Sequence, residues 1–179
     1  TGTLSAAIAE IAPNNGTTFT ITVSGMTASG TVIASIGAGV LQDVSGNNNL
    51  ASNAGTTITY NHDTTGPTVT ISVSGPNPTN ANPIFQVVFN EPINISTFAP
   101  ADVTLTGTAG ATTAVIAEIA PNDGTTFTIT ASGMTGAGTV IADIAAGLIS
   151  DLAATPNTNM ASNAGTTITY DNVPPTVVL

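Results

Sequence analysis

Three observations predict an all-β fold made of tandem seven-stranded β-sandwiches. Apolar and polar residues alternate with a period of two along many short segments, the pattern of strands with one buried face. Thr, Val and Ile, which suit a pleated half-buried surface, are abundant. Third, the chain repeats itself. Ile8-Ala9-Glu10-Ile11-Ala12-Pro13-Asn14 returns 108 positions later as Ile116-Ala117-Glu118-Ile119-Ala120-Pro121-Asn122. The match continues through Gly16 to Thr22 and Ser24 to Thr27. After a two-residue insertion, Ala51 to Tyr60 recurs at 161 to 170. A period near 108 is too long for a solenoid unit and suits one independently folding domain.

The elements of the complete copy run in order. Val69, Ile71 and Val73 share one face of a first strand, and Phe85, Val87 and Phe89 one face of a second. Val103 and Leu105 mark a third. A fourth spans about Thr113 to Ile119 and ends at the turn Pro121-Asn122-Asp123-Gly124. Phe127 and Ile129 mark the fifth, Thr139 to Ile144 the sixth and Thr166 to Tyr170 the seventh. Ala142 to Leu148 offers the best helical signal, one turn at most between flanking glycines. Seven short strands in about 105 residues read as a β-sandwich.

The period also divides the chain. Residues 66–172 form a complete copy. Residues 1–65 correspond to the back part of a preceding copy, and 173–179 to the first strand of a following one, because Pro175-Thr176-Val177 restarts Pro67-Thr68-Val69. The expectation is a window on a longer tandem chain or the unit of a fibre, with any export signal upstream. The partial first copy is expected to need its missing strands from the same chain or a neighbour.

Composition excludes several classes of function. Lys and Arg are absent, Asp plus Glu number 10, and the net charge is −10; an average chain of this length carries roughly twenty basic residues. Such a surface repels nucleic-acid phosphates and anionic lipid heads and attracts cations. It also has no trypsin site, an advantage outside the cell. Without Cys there is no disulfide framework and no thiolate metal site. No apolar run reaches the roughly 18 to 20 residues that span a bilayer. Hydrophobic residues make up 41% of the chain, which argues against disorder.

Several phrases in order carry a family resemblance. They are Asp63-Thr64-Thr65-Gly66-Pro67-Thr68-Val69-Thr70-Ile71, Asn77-Pro78-Thr79-Asn80, Phe89-Asn90-Glu91-Pro92-Ile93, Asp102-Val103-Thr104-Leu105-Thr106-Gly107 and Asp43-Val44-Ser45-Gly46-Asn47. The chain resembles, over nearly its whole length, the bacterial immunoglobulin-like (Big-type) domains found in tandem in large secreted and surface adhesin-like proteins. The resemblance implies an immunoglobulin-like sandwich and a cell-surface or secreted location. It departs at Asp151-Leu152-Ala153-Ala154-Thr155, which replaces the Asp43 loop phrase in the second copy. The core Trp and disulfide of antibody domains are also missing, so only the architecture carries over.

Immunoglobulin strand order then gives the acids a place. The B–C, D–E and F–G loops and the entry to strand A share one pole. Glu91 and Asp102 bracket the B–C loop, Asp123 lies in D–E, Asp151 opens F–G, and Asp63 lies in the linker. Uncompensated carboxylates repel at short range unless a cation intervenes. The candidate metal ligands are therefore Asp63, Glu91, Asp102 and Asp151, with neutral oxygens from Asn61, Asn90 and Asn94. Calcium suits such a set, because it takes six to eight oxygens in loose geometry. The competing reading is that these acids only keep a fibre soluble.

Other motifs are thinner. Asp43 to Asn49 spaces oxygen side chains as an EF-hand loop begins, but lacks Gly at position six and Glu at twelve; an Asn-rich turn is the default. His62, the single His, reads as a solvated side chain. Glu10 and Glu118 are expected to face solvent from an edge strand. Asn15-Gly16-Thr17 and Asn94-Ile95-Ser96 match the glycosylation pattern, as chance allows in a chain this rich in Asn and Thr. Catalysis is not expected. No Ser–His pair recurs in both copies, no basic group could stabilise an oxyanion, and aromatics are 4% of residues. Two functions stay in contention: a structural repeat of an extracellular fibre, filament or adhesin stalk, or a ligand-binding module of an adhesin or carbohydrate-active enzyme. Near-interchangeable copies favour the first. The partners expected are neighbouring copies of the repeat, not nucleic acid or membrane.

Overall fold

A computed structural model describes residues 4–53 and 55–178. The chain divides into two compact units, Thr1–Asp63 and Thr64–Leu179.

The first unit holds two separate antiparallel pairs. Strand β1 (Ser5–Glu10) pairs with β2 (Phe19–Ser24), setting Ile8 opposite Ile21. Strand β3 (Gly30–Ile33) pairs with β4 (Thr57–Tyr60), setting Val32 opposite Ile58. Alternation alone cannot bury these side chains, because among the described residues each pair lacks the neighbouring strands that widen the sheets of a complete sandwich. Phe19 is 51% exposed and Ile58 65%.

The second unit is a complete sandwich. Its strands are β5 (Val69–Val73), β6 (Ile84–Phe89), β7 (Val103–Thr106), β8 (Thr113–Glu118), β9 (Thr126–Ser132), β10 (Gly138–Ile144) and β11 (Thr167–Tyr170). One sheet has the order β5-β6-β9-β8 and the other β11-β10-β7, with every pair antiparallel. Lettered A to G, these are the A-B-E-D and G-F-C sheets of a constant-type immunoglobulin domain. All seven strands fall where the alternation predicts. Residues 142–144 complete β10, so the one-turn helix considered there does not form.

Period-two burial is sharpest in β9 and β10, where Phe127, Ile129 and Ala131 face Val140, Ala142 and Ile144 across the core. Phe98 enters the same core from the B–C loop. Its ring lies edge-on to those of Phe89 and Phe127, with centroids 5.7 and 5.3 Å away. Fully burying each such ring contributes about 1.5–3 kcal/mol, so this trio anchors the B–C loop to the β5-β6-β9-β8 sheet.

Loops at the two poles are built differently. At the A–B end, Asn77 accepts from Thr169 N (2.8 Å) and donates to Thr167 O (3.0 Å), fastening the Asn77-Pro78-Thr79-Asn80 phrase to β11. Thr79 then bridges Tyr170 in parallel. At the D–E end, Glu118 does not simply face solvent: its Oε1 accepts from Gly124 N at 2.6 Å, closing the turn whose Asn122 is left-handed (φ 61°). Glu10 makes the same contact with Gly16 N in the first unit. Glu10 stays exposed, as expected, whereas Glu118 is half-buried because the turn folds its N–H groups back over the strand end.

Candidate metal centre

The B–C loop begins with a clamp. Asn90 Oδ1 accepts from Thr68 N at 2.6 Å, and Asn90 N donates to Thr68 O at 3.2 Å. Two short 3₁₀ turns come next, Ile95–Thr97 and Pro100–Asp102. The Asn94 side chain caps the first, accepting from Ser96 N (3.2 Å) and Ser96 Oγ (2.7 Å). The Asp102 carboxylate closes the second by accepting from Ala99 N at 2.7 Å. These are ordinary capping preferences of Asn and Asp.

Hydrogen bonds join the three loops at this pole. Ile93 N donates to Gly124 O in D–E (3.0 Å), Asn94 N to Ser150 O in F–G (2.8 Å), and Ser150 N to Thr97 Oγ1 (3.0 Å). The F–G loop is organised by Asp151, which is only 2% exposed. Its Oδ1 accepts from Ala153 N and Asn157 N, both at 3.0 Å, and its Oδ2 from Asn157 Nδ2 at 2.9 Å.

Carboxylate oxygens of Asp63, Glu91 and Asp151 all lie within 4.8 Å of one another. Glu91 sits just after the Asn90 clamp, and its Oε1 is buried. Two oxygens bound to one calcium ion at 2.3–2.6 Å stand at most about 5 Å apart, so the spacing fits one divalent cation. Of the four candidate ligands, three come together. Asp102 is outside this group, with its carboxylate turned into its own 3₁₀ turn. The neutral oxygens of Asn90 and Asn94 are likewise directed to Thr68 and Ser96.

Asp123, Asp43 and His62 serve local structure. Asp123 Oδ1 accepts from Thr125 Oγ1 (2.6 Å) and Thr125 N (3.1 Å), which holds its pKa below the ordinary 3.8; the hydroxyl contact is the larger cause. Asp43 Oδ1 accepts from Ser45 N and Asn47 N (both 2.9 Å) and Oδ2 from Asn47 Nδ2 (3.0 Å). Its pKa is lowered chiefly by the Asn47 side chain. The Asp43 segment is thus an Asn-closed turn, with the carboxylate turned inward to its own N–H groups. His62 stacks its ring near Tyr60 (centroids 6.2 Å) and donates from its backbone to Ser29 Oγ.

One organising side chain escaped the sequence reading. Asn159, 2% exposed, accepts from Leu148 N (2.9 Å) and Ile149 N (2.8 Å) and donates to Ala145 O (2.9 Å) and Met160 O (2.8 Å). Asn49 makes the same four bonds to Val40, Leu41, Gly37 and Leu50. The available signal was the recurrence of Asn49 and Asn159 directly before an apolar residue and Ala-Ser-Asn.

Comparison with known proteins adds little. No protein-family profile and no curated protein matches the chain. Among solved structures, the N-terminal part of the bacterial S-layer protein SbsC matches with 22% identity and a TM-score of 0.33. The match covers 61% of this chain and 25% of that one, so the chain spans about a quarter of the structure it matches. A likeness this distant assigns no function. No helix among the described residues is long and apolar enough to cross a membrane.

Proposed function

We propose that this chain is a non-catalytic structural repeat of a bacterial surface fibre, filament or adhesin stalk, working outside the cell as one of many copies. The observation that carries the reading is the duplication of fine detail. Asp43 and Asn47 repeat the bonding of Asp151 and Asn157, Asn49 repeats that of Asn159, and Glu10 that of Glu118. A spacer is duplicated whole, loops included, whereas a ligand site calls for one copy to diverge. The A–B groove of the second unit, of about 490 Å³, supports the same reading: it is lined by residues such as Pro76, Pro78, Asn80 and Asp171, with no aromatic ring for a sugar to stack on.

The reading includes a divalent cation, calcium by its oxygen preference, held by Asp63, Glu91 and Asp151. When bound, the ion supplies charge neutralisation and ties the linker to the loops of the second unit. The chain's own part is to hold Asp151 rigid through Asn157 and to bring Glu91 alongside it. The test is calorimetric unfolding and small-angle scattering of the chain with calcium and with a chelator. Chelation is expected to lower the melting temperature and shorten the particle. Identical melting and scattering curves would remove the cation from the proposal. A selective response to a glycan panel would replace the stalk by a binding module.

A further inference from the structure

The first unit carries half of the sandwich that the second completes. Strands β1 and β2 pair in the same register as β8 and β9: Ser5 opposes Ser24 as Thr113 opposes Ser132. Strands β3 and β4 likewise repeat β10 and β11, with Gly30 opposite Tyr60 and Gly138 opposite Tyr170. In the second unit the outer edge of β9 pairs with β6, and that of β10 with β7. Among the described residues, β2 and β3 have no strand on those edges. Their side chains are correspondingly open. Phe19 is 51% exposed where Phe127 is 1%, Ile21 41% where Ile129 is 0%, and Ile58 65% where Ile168 is 1%. The polar fittings for strand A are also duplicated. Asn163 bonds both the N–H and C=O of Ile71 (2.6 and 3.0 Å), and Thr166 Oγ1 donates to the same carbonyl (2.8 Å). Asn53 and Thr56 hold the equivalent places in the first unit.

We propose that the open face of the first unit is an acceptor for the strand A, B and C segment of a second copy of this repeat, a polypeptide with the sequence character of Gly66 to Thr106. The second unit supplies the argument for that occupant, because it shows what covers the same side chains when the segment is present. Phe85, Val87 and Phe89 of the donor meet Phe19 and Ile21. The donor's B strand hydrogen-bonds to β2 and its C strand to β3. Its Ile71 takes the polar contacts of Asn53 and Thr56. Two open edges and an apolar face are filled at once, as in strand addition. The proposal rests on the reading of the chain as an array of copies and is independent of the cation.

The experiment supplies the donor. A polypeptide of residues 64–107 is added to the full chain, and in a second arm is joined ahead of Thr1 by a flexible linker, which raises its effective concentration. Hydrogen exchange is followed across Phe19–Ser24 and Gly30–Ile33, with β9 and β10 as the internal control for folding. The joined form is expected to slow exchange in β2 and β3 at least 100-fold and to abolish binding of a hydrophobic dye. The added form does the same at higher concentration. A donor carrying Val87→Asp and Phe89→Asp is expected to protect neither strand, as is an acceptor carrying Phe19→Asp. Unchanged exchange in the joined form, or equal protection by the Asp-bearing donor, overturns the proposal. So does a dimer of the unmodified chain that already buries Phe19 without a donor. Because calcium plays no part in these readouts, their failure is separable from failure of the cation reading.

Discussion

Asn157 grips Asp151 twice, donating from its backbone to Oδ1 at 3.0 Å and from its side chain to Oδ2 at 2.9 Å. Asn47 grips Asp43 in the same way, although the loop in the second copy is two residues longer. The insertion is absorbed between the paired residues, so the carboxylate–amide contact is what the loop is built around. One of the three cluster carboxylates therefore owes its position to a bond unrelated to any ion.

Replacing Asp151 with Ala is expected to destabilise the second unit by about 3 kcal/mol, since three part-buried donors lose a buried, charged acceptor. Asp151→Asn keeps an acceptor for Ala153 N and Asn157 N and should cost less. Asp43→Ala, in an exposed loop, should cost less than the alanine change at Asp151. Urea unfolding, resolved by hydrogen exchange in each unit, measures all three. Equal losses at positions 43 and 151 would contradict the burial argument.

The D–E turn has a pH signature. The Asp123 pKa is lowered below 3.8 by Thr125, so the carboxylate is ionised more readily when folded than when unfolded. Its contribution is present above the unfolded value and is lost as the pH falls through the folded one. Carboxyl NMR titration should place Asp123 below the ordinary value, and Thr125→Val should raise it by removing the hydroxyl donor. An unmoved titration in the valine variant would count against the 2.6 Å contact as the cause. Asp43 should respond in the same direction to Asn47→Ala.

Much of this fold was legible in the residues. Alternation around Val69 and Ile71, and around Phe127 and Ile129, located strands because a buried face forces every second side chain inward. Immunoglobulin order then brought Asp63, Glu91 and Asp151 to one pole. Asp102 was misplaced for a local reason: the B–C loop ends in a 3₁₀ turn, and a carboxylate at its third position satisfies the turn's own N–H. Such turns leave no periodic trace over three residues. Glu118 was misread because a charged residue on an edge strand looks solvated until the next turn is seen to fold back. Asn159 was passed over because an amide that bonds four backbone groups has the same letter as one in water, and only its recurrence with Asn49 marks it.

Core substitutions should separate the two units. Phe127→Ala removes a ring packed against Phe89 and Phe98, with centroids 5.9 and 5.3 Å away, and should cost about 3–5 kcal/mol. Phe19→Ala at the equivalent position removes a half-exposed ring and should cost less than about 1 kcal/mol. Denaturant unfolding of both variants gives the comparison. A large loss at Phe19 would mean that its face is already covered in solution.

Asn159 offers the sharpest test of the loop architecture. Both hydrogens of its amide point at carbonyls, those of Ala145 and Met160, and its oxygen accepts from two N–H groups. Asn159→Asp keeps the shape and the accepting oxygen but sets a second oxygen against the two carbonyls. Lone pairs then face one another in a buried site, and a negative charge sits there without a cation. Asn159→Ala only leaves the four backbone groups unmatched, and water can enter to reach some of them. The aspartate variant is therefore expected to be the less stable of the two at neutral pH, by about 1–3 kcal/mol. It should recover part of that gap in acid, where the protonated carboxyl donates to one carbonyl. The order of the two variants in urea, at neutral pH and again near pH 4, decides it; alanine falling below aspartate at both would mean that the donor side of the amide contributes little.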